Sequence, residues 1–356
     1  MPKLTTIAID TSCDETSVAV VRGTTILSNV VASQVELHKP YGGVFPTVAK
    51  QAHKENIDRC VLLALSRAGK TWQEIDQIAV TQGPGLAPAL EVGINKAKDL
   101  AKEHQLPLLP INHIEGHVLS VLAQPNSKQN KKIETTFPAL ALIISGGHSD
   151  FITVATFGEY KRLGFTIDDA AGEALDKIGR ILNLGYPAGA VIEEFAKRGD
   201  KTKFAFPLPM TSSSDYNLSF SGLKTFARRL IEQLELENTL STQVIYDLCA
   251  SVQYAIFRHI CHKLSKVLQD NQDLGQVWLG GGVAANTTLR VMIRQTIRQH
   301  LKDQKRKGLQ LPLSPQLKTP YSKKLCGDNA AMIGVVANVS KVAANSEFER
   351  QPKLKL

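Results

Sequence analysis

The chain has 356 residues, 43% hydrophobic and 21% charged, with a formal net charge of +9. That length suggests two domains, and that composition excludes disordered, collagenous and disulfide-framed classes. The five cysteines (Cys13, Cys60, Cys249, Cys261, Cys326) are odd in number, scattered and without C-x-x-C spacing, which excludes a zinc cluster and fits a reducing compartment.

Ile7–Ile9, Ser17–Val21 and Thr25–Leu27 read as three short strands broken by polar turns. Met1–Thr6 leaves no room for a signal or transit peptide ahead of them, so a cytoplasmic location is expected. No window approaches the ~18 apolar residues that a membrane span needs. A helix is predicted over 51–68, with Gly69 as its C-cap, then a buried strand, Ile78–Val80, running into Gly83-Pro84-Gly85. A helix over 87–104 and a strand over 108–111 follow. A second series begins with strands 139–144 and 151–155. Helices are predicted near 170–182, 188–198 and 244–268, a strand over 276–279, and a last helix over 330–337 with Asp328 or Asn329 as its cap. The repeated order of strands, helices and Gly-rich strand ends resembles the α/β duplicated actin-like ATPase (ASKHA, ribonuclease H-like) fold, two α/β domains around a nucleotide cleft. The predicted boundaries are 1–112 plus about 320–345 for the first lobe, 113–319 for the second with helical insertions, and 346–356 as a polar tail.

Three strand ends are polar or glycine-rich: Asp10–Thr16, Ser145–His148 and Gly280–Gly282. Glycine lets backbone N–H groups approach phosphate oxygens, so three such loops point to a nucleotide site. None is a Walker A loop or a dinucleotide fingerprint. Asp169 and Asp176, seven apart, are expected on one acidic helix face.

His113 and His117 are four apart, so on a helix both imidazoles reach one ion. Zinc peptidases need Glu directly after the first His. Here Ile114 stands there, and Glu115 projects about 200° away from His113, as an outer-shell or solvated residue would. Asp328 adds a carboxylate, giving a two-His-one-carboxylate set suited to Fe(II) or Zn(II). The positive charge concentrates at Lys128, Lys131 and Lys132, and along Arg290, Arg294, Arg298 and Lys302, followed by Lys305, Arg306 and Lys307. The four-residue spacing draws a basic stripe on a helix, and nucleic acid is the first polyanion to consider.

From Ile7 to about Val336 the chain resembles the TsaD family, the tRNA N6-adenosine threonylcarbamoyltransferases once described as O-sialoglycoprotein endopeptidases. The resemblance rests on Thr11-Ser12-Cys13-Asp14-Glu15-Thr16, Tyr41-Gly42-Gly43, Gly83-Pro84-Gly85-Leu86 and the His pair. It continues through Ser145-Gly146-Gly147-His148, residues 167–174 and 219–225, Gly281-Gly282-Val283, Asn286 and Asp328-Asn329. It implies transfer of the threonylcarbamoyl group of threonylcarbamoyl-AMP to N6 of adenosine 37 in tRNAs reading codons that begin with adenine. It also implies one divalent metal, Fe(2+) or else Zn(2+), on His113, His117 and Asp328. Ile143, Ile144, Ser145, Gly146, Gly147, Asp176, Gly189, Glu193 and Asn286 match adenylate-holding positions, and Asp14 or Glu15 is the candidate to receive the amine proton. The implied partners are tRNA, a paralogous TsaB-like subunit, a small TsaE-like ATPase and an upstream threonylcarbamoyl-AMP synthase. The competing readings are a metal-dependent endopeptidase and a small-acceptor kinase of the actin-like superfamily. Asp10 stands where many members have Glu, Ala188 and Ala330 where they have Gly, and Gly327 where they have Thr. Ala188 must therefore keep φ negative.

Overall fold

The computed structural model describes residues 3–127, 133–309 and 313–356. Lys128, Lys131 and Lys132 lie outside the described residues. The chain forms two compact units, 1–135 with 156–160 and 319–356, and 136–155 with 161–318.

The first unit is built on strands β1 (Thr5–Asp10), β2 (Glu15–Arg22), β3 (Thr25–Ser33), β4 (Gln77–Gly83), β5 (Leu108–Asn112) and β6 (Gln124–Pro125), ordered β5-β4-β1-β2-β3-β6. β1 to β3 form an antiparallel meander, and β4 and β5 join parallel to β1. All six residues of β1 are buried, as expected for a central strand covered on both faces. Ile7 and Ile9 share a core with Ile57, Val61, Leu90 and Ile94. These come from two of the unit's helices, numbered after α1 (Val35–His38): α2 (Pro46–Ala68) and α3 (Ala87–His104). Burying each large aliphatic side chain stabilises by about 1.5–3 kcal/mol. α2 ends at Gly69, whose φ of 61° lets its N–H reach Leu65 O and Ser66 O.

Ala8 faces the opposite side, towards the C-terminal helix of the chain, Ala330–Val339. A Cβ on Gly334 of that helix would lie 2.7 Å from Val21 Cγ2, so small residues let helix and sheet meet closely. The short helix α4 (His113–Leu119) follows β5 and belongs to this unit. The boundary therefore falls after residue 135 rather than 112, because α4 packs by Gly116 against Met332 and Ile333. The expected polar tail also joins this unit: Phe348 is 6% exposed, Gln351 N–H donates to Gln82 O and Asn112 Nδ2 donates to Lys355 O.

The second unit holds β7 (Ala139–Ile144), β8 (Ser149–Thr156), β9 (Glu159–Phe165), β10 (Gln276–Gly280) and β11 (Gln316–Lys318), ordered β11-β10-β7-β8-β9. The tip of the β8–β9 hairpin, residues 156–160, is grouped with the first unit. The helices are α5 (Ala171–Ile181), α6 (Gly189–Ala196), α7 (Ser221–Leu236), α8 (Thr242–Asp270) and α9 (Thr287–Arg306), and the closing helix of the first unit is α10 (Ala330–Val339). β9 escapes the residue pattern because EYKRLGF is mostly exposed and lacks apolar alternation. α7 buries only Leu223, Ala227 and Ile231, a four-residue repeat among charges.

Candidate functional site

Asn112 starts α4: its side chain accepts from Ile114 N–H and Glu115 N–H, so the first helical residue is His113. His113 and His117 therefore share a face, with ring centroids 4.7 Å apart. Asn329 caps α10 by accepting from Met332 N–H. The cap is thus Asn329, and Asp328 turns to the histidines. Its Oδ1 lies 3.6 Å from His113 Nε2 and 3.1 Å from His117 Nε2. The three ligand atoms lie within 4.8 Å of one another.

His113 and His117 are 6% and 1% exposed, and both nitrogens of His117 and Nδ1 of His113 are buried without a hydrogen-bond partner. Unbonded nitrogens beside a carboxylate are costly unless a cation satisfies them. The donor set, two imidazoles and one carboxylate, fits a divalent metal. Burial holds His113 below the usual histidine range against the opposing charges of Asp328 and Asp10, which favours the neutral, ligating form.

Asp10 was not among the expected site residues. It is 1% exposed, its Oδ1 accepts from Ser12 N–H and Thr81 Oγ1–H, and its Oδ2 stands 3.7 Å from His113 Nδ1. No hydrogen bond joins them, but the carboxylate charge facing Nδ1 across that gap favours the tautomer with its proton there and leaves Nε2 free towards Asp328. Glu115 is 8% exposed, and its Oε1 accepts from Tyr160 Oη–H (2.7 Å) and Ser340 Oγ–H (2.6 Å). It is a buried anchor, committed to those hydroxyls and unsuited to the general-base role a peptidase needs.

Asp14 ends the loop leaving β1, and Glu15 is the first residue of β2. Burial, reinforced by Asp328, raises the Asp14 carboxyl. Burial pushes Glu15 to about 7, although Ser33 Oγ–H donates to its Oε1. Glu15 is poised to hold a proton near neutrality, and the Asp14 carboxyl is displaced in the same direction.

In the second unit the matched residues form one connected group. Ile143 and Ile144 are fully buried sheet residues, so only their backbone can face a ligand. Ser145 N–H is taken by His148 O, and Ser145 Oγ accepts from His148 N–H. The Ser145 amide is thus already committed within its own loop. Gly146 and Gly147 are exposed, with open space where a Cβ would be. Gly281, at φ 91°, brings its loop against Ile144 O, where a Cβ would lie 2.4 Å from that oxygen. Asp176 Oδ1 accepts from Ala188 N–H (2.8 Å) and Gly189 N–H (3.2 Å), and Ala188 keeps φ at −86°. Glu193 accepts from Thr287 N–H and its hydroxyl. Asn286 caps α9 through Thr288 N–H and Leu289 N–H, and its Nδ2 donates to Gln253 Oε1.

Two expectations are corrected. Asp169 precedes α5 and pairs with Lys177 and Lys224, so it shares no helix face with Asp176. Arg290 donates to Ala284 O and stiffens the loop before α9, whereas Arg294, Arg298 and Lys302 are exposed.

Two α/β units of this topology have the duplicated actin-like fold, and the first bears a cluster of two buried histidines and a half-buried aspartate. HypF of T. kodakarensis shares the fold, with a TM-score of 0.59 at 14% identity over 95% of this chain and 48% of that one. The family model for TsaD, tRNA N6-adenosine threonylcarbamoyltransferase, matches residues 25–335, and the chain belongs to this family. A relative of that name from Picosynechococcus is 42% identical over 337 residues, covering 93% of this chain and 88% of the relative. One from Lactiplantibacillus plantarum is 43% identical over 335 residues, covering 94% and 89%.

Proposed function

We infer that this protein transfers the threonylcarbamoyl group of threonylcarbamoyl-AMP to N6 of adenosine 37 in tRNAs reading codons that begin with adenine, releasing AMP. The carrying observation is the His113–His117–Asp328 constellation, both histidines buried, in a chain of this family. In the reaction the N6 lone pair attacks the carbamoyl carbon, the bond from that carbon to the phosphate oxygen breaks, and AMP leaves with the electron pair. The amine proton passes to Asp14 or Glu15; burial raises the proton affinity of both, and that of Glu15 to about 7, which suits a base working near neutral pH. The Gly146 and Gly147 amides orient the donor's phosphate or acyl part. Asp176 shapes the Gly189 turn, and Glu193 and Asn286 order the start of α9 on the nucleoside side.

His113, His117 and Asp328 would hold Fe(2+) or Zn(2+), iron being favoured. Bound there, the metal supplies Lewis acidity or an anchor for phosphate. Arg294, Arg298 and Lys302 provide phosphate-backbone contacts for tRNA. A TsaB-like subunit, a TsaE-like ATPase and a threonylcarbamoyl-AMP synthase complete the reading, in the cytoplasm. No helix among the described residues is long and apolar enough to cross a membrane.

The test is incubation with threonylcarbamoyl-AMP and unmodified tRNA, with and without chelator, assayed for the modified nucleoside. The expected result is a metal-dependent product, lost in Asp328→Ala. A fully active, metal-free variant refutes the centre, and no product from the metal-loaded protein with its partner subunits refutes the reaction.

A further inference from the structure

Behind the Asp14 loop runs a hydrogen-bond chain of defined direction. His53 Nε2 lies 3.0 Å from Cys13 O, which only accepts, so that nitrogen carries the proton. Nδ1 of the same ring then accepts from Thr16 Oγ1–H (2.8 Å) and Gln34 Nε2–H (3.2 Å). Gln34 Oε1 accepts from His38 Nε2–H at 3.2 Å, which leaves His38 Nδ1 to accept Phe45 N–H at 3.3 Å. The carbonyl at one end and the amide at the other fix both tautomers. Gln34, His38 and His53 are at most 1% exposed, and Gln34 N–H donates to Asp14 O at 3.1 Å. Asp14 and Phe45 are thereby joined through one buried polar unit.

What this unit holds out to solvent is aromatic. Tyr41 and Phe45 stack with centroids 5.1 Å apart and planes 18° apart, yet remain 57% and 48% exposed. Gly42 turns the backbone beneath them at φ 63°, a conformation that favours glycine. A single exposed aromatic is ordinary. Two exposed rings stacked on each other, with the backbone N–H of Phe45 held by the buried network, form a prepared π surface.

We propose that Tyr41 and Phe45 are a stacking platform for an unstacked base of the acceptor RNA, and that His38, Gln34 and His53 are positioning residues fixing that platform relative to Asp14. The proposal rests on the transfer to an adenine amine inferred above. A loop base must leave its stack before its exocyclic amine can be reached, and aromatic side chains receive such bases. The platform is continuous, through Gln34 and Asp14, with the loop that carries the candidate base for the same amine. An apolar protein partner on the same rings is the competing occupant, and it predicts no dependence on the base.

The full-length protein is tested with an anticodon stem-loop RNA carrying 2-aminopurine, or an abasic residue, at the target position. Emission is expected to be quenched in complexes with the wild type and Tyr41→Phe relative to the complex with the Tyr41→Ala/Phe45→Ala variant. The wild type should bind the base-containing RNA about 5–100-fold more tightly than the abasic RNA, and the double variant should lose that preference. A double variant that keeps both the quench and the preference overturns the platform, as does equal weakening towards both RNAs. His38→Leu should lose the quench and raise KM for tRNA, and His38→Gln, which can still donate and accept, should restore both. If His38→Leu leaves both unchanged, the positioning role fails. Wild-type turnover on authentic tRNA, measured alongside, separates failure of the platform from failure of the transfer reading.

Discussion

The pairing of Asp10 with His113 predicts an outcome that simple loss of charge would not. Asp10 Oδ1 is held by two donors, Ser12 N–H at 3.2 Å and Thr81 Oγ1–H at 2.8 Å. In Asp10→Asn the amide oxygen must stay on those donors, because an NH2 group placed against Ser12 N–H would oppose donor to donor. The new Nδ2 then occupies the place of Oδ2, 3.7 Å from His113 Nδ1, and presents N–H to it. That favours the tautomer with the proton on Nε2, the nitrogen facing Asp328, and a protonated Nε2 cannot ligate. Asp10→Ala removes the orienting carboxylate without imposing the wrong tautomer. Losing an orienting partner costs about 10–100-fold in metal affinity. The expected order is therefore wild type, then Asp10→Ala about tenfold weaker, then Asp10→Asn towards a hundredfold. Competition against a chelator of known affinity, with Zn(II) and anaerobically with Fe(II), measures it. Thermal melts of the apo proteins confirm that both variants are folded. Equal affinity in all three, or Asp10→Asn binding more tightly than Asp10→Ala, refutes Asp10 as the group that sets the His113 tautomer.

Three further outcomes follow from the second unit. Asn286→Ala removes the cap of α9 and should lower stability by about 1–2 kcal/mol in urea titration, with turnover falling further than stability accounts for. Gly172→Ala places a Cβ 2.7 Å from Ser145 O and 2.9 Å from Gly146 Cα; it should cost about 1–3 kcal/mol and raise KM for the adenylate, because the yielding atoms belong to the Gly146 loop. Burial holds His259 at about 4, with Nε2 accepting Ser219 N–H at 3.2 Å. Its folded-state value lies below its unfolded one, so its contribution is complete above about pH 6.5 and is lost as pH falls towards 4, by up to about 1.4 kcal/mol per pH unit in that window. His259→Gln keeps an acceptor but does not titrate, and its unfolding free energy should fall less steeply between pH 7 and 5; identical slopes refute the assignment.

The His113–His117 pair, proposed here to hold a metal, is legible in the sequence because its chemistry is carried by residue type and helical spacing: the two histidines sit one turn apart. The role of Asp10 is not, since nothing in β1 says that a strand end will stop 3.7 Å from a ring 103 residues later. Glu115, which its helical direction places away from the ligand pair, is buried rather than solvated. That burial depends on Tyr160 and Ser340, which no local pattern ties to α4. Likewise Asn286 and Asp176 announce a polar site, but that they bond backbone amides is a tertiary fact. The strongly periodic helix α8 lies close to its expected limits. β9 and α7 escape a sequence reading because their apolar content is too sparse to set a period.

Asp328 follows His117 by 211 residues, and the entire second unit is threaded between them. During vectorial synthesis at roughly 5–20 residues per second, the histidine pair therefore emerges about 10–40 s before the carboxylate. For that interval the nascent chain offers an imidazole pair without its third ligand, and any ion it acquires is held weakly. Only when α10 closes on Ala8 and Val21 does the carboxylate arrive, so completion of the first unit's packing and completion of the proposed metal site are one event. A ribosome-bound fragment ending before Asp328 should therefore exchange metal freely, whereas the released chain should retain it.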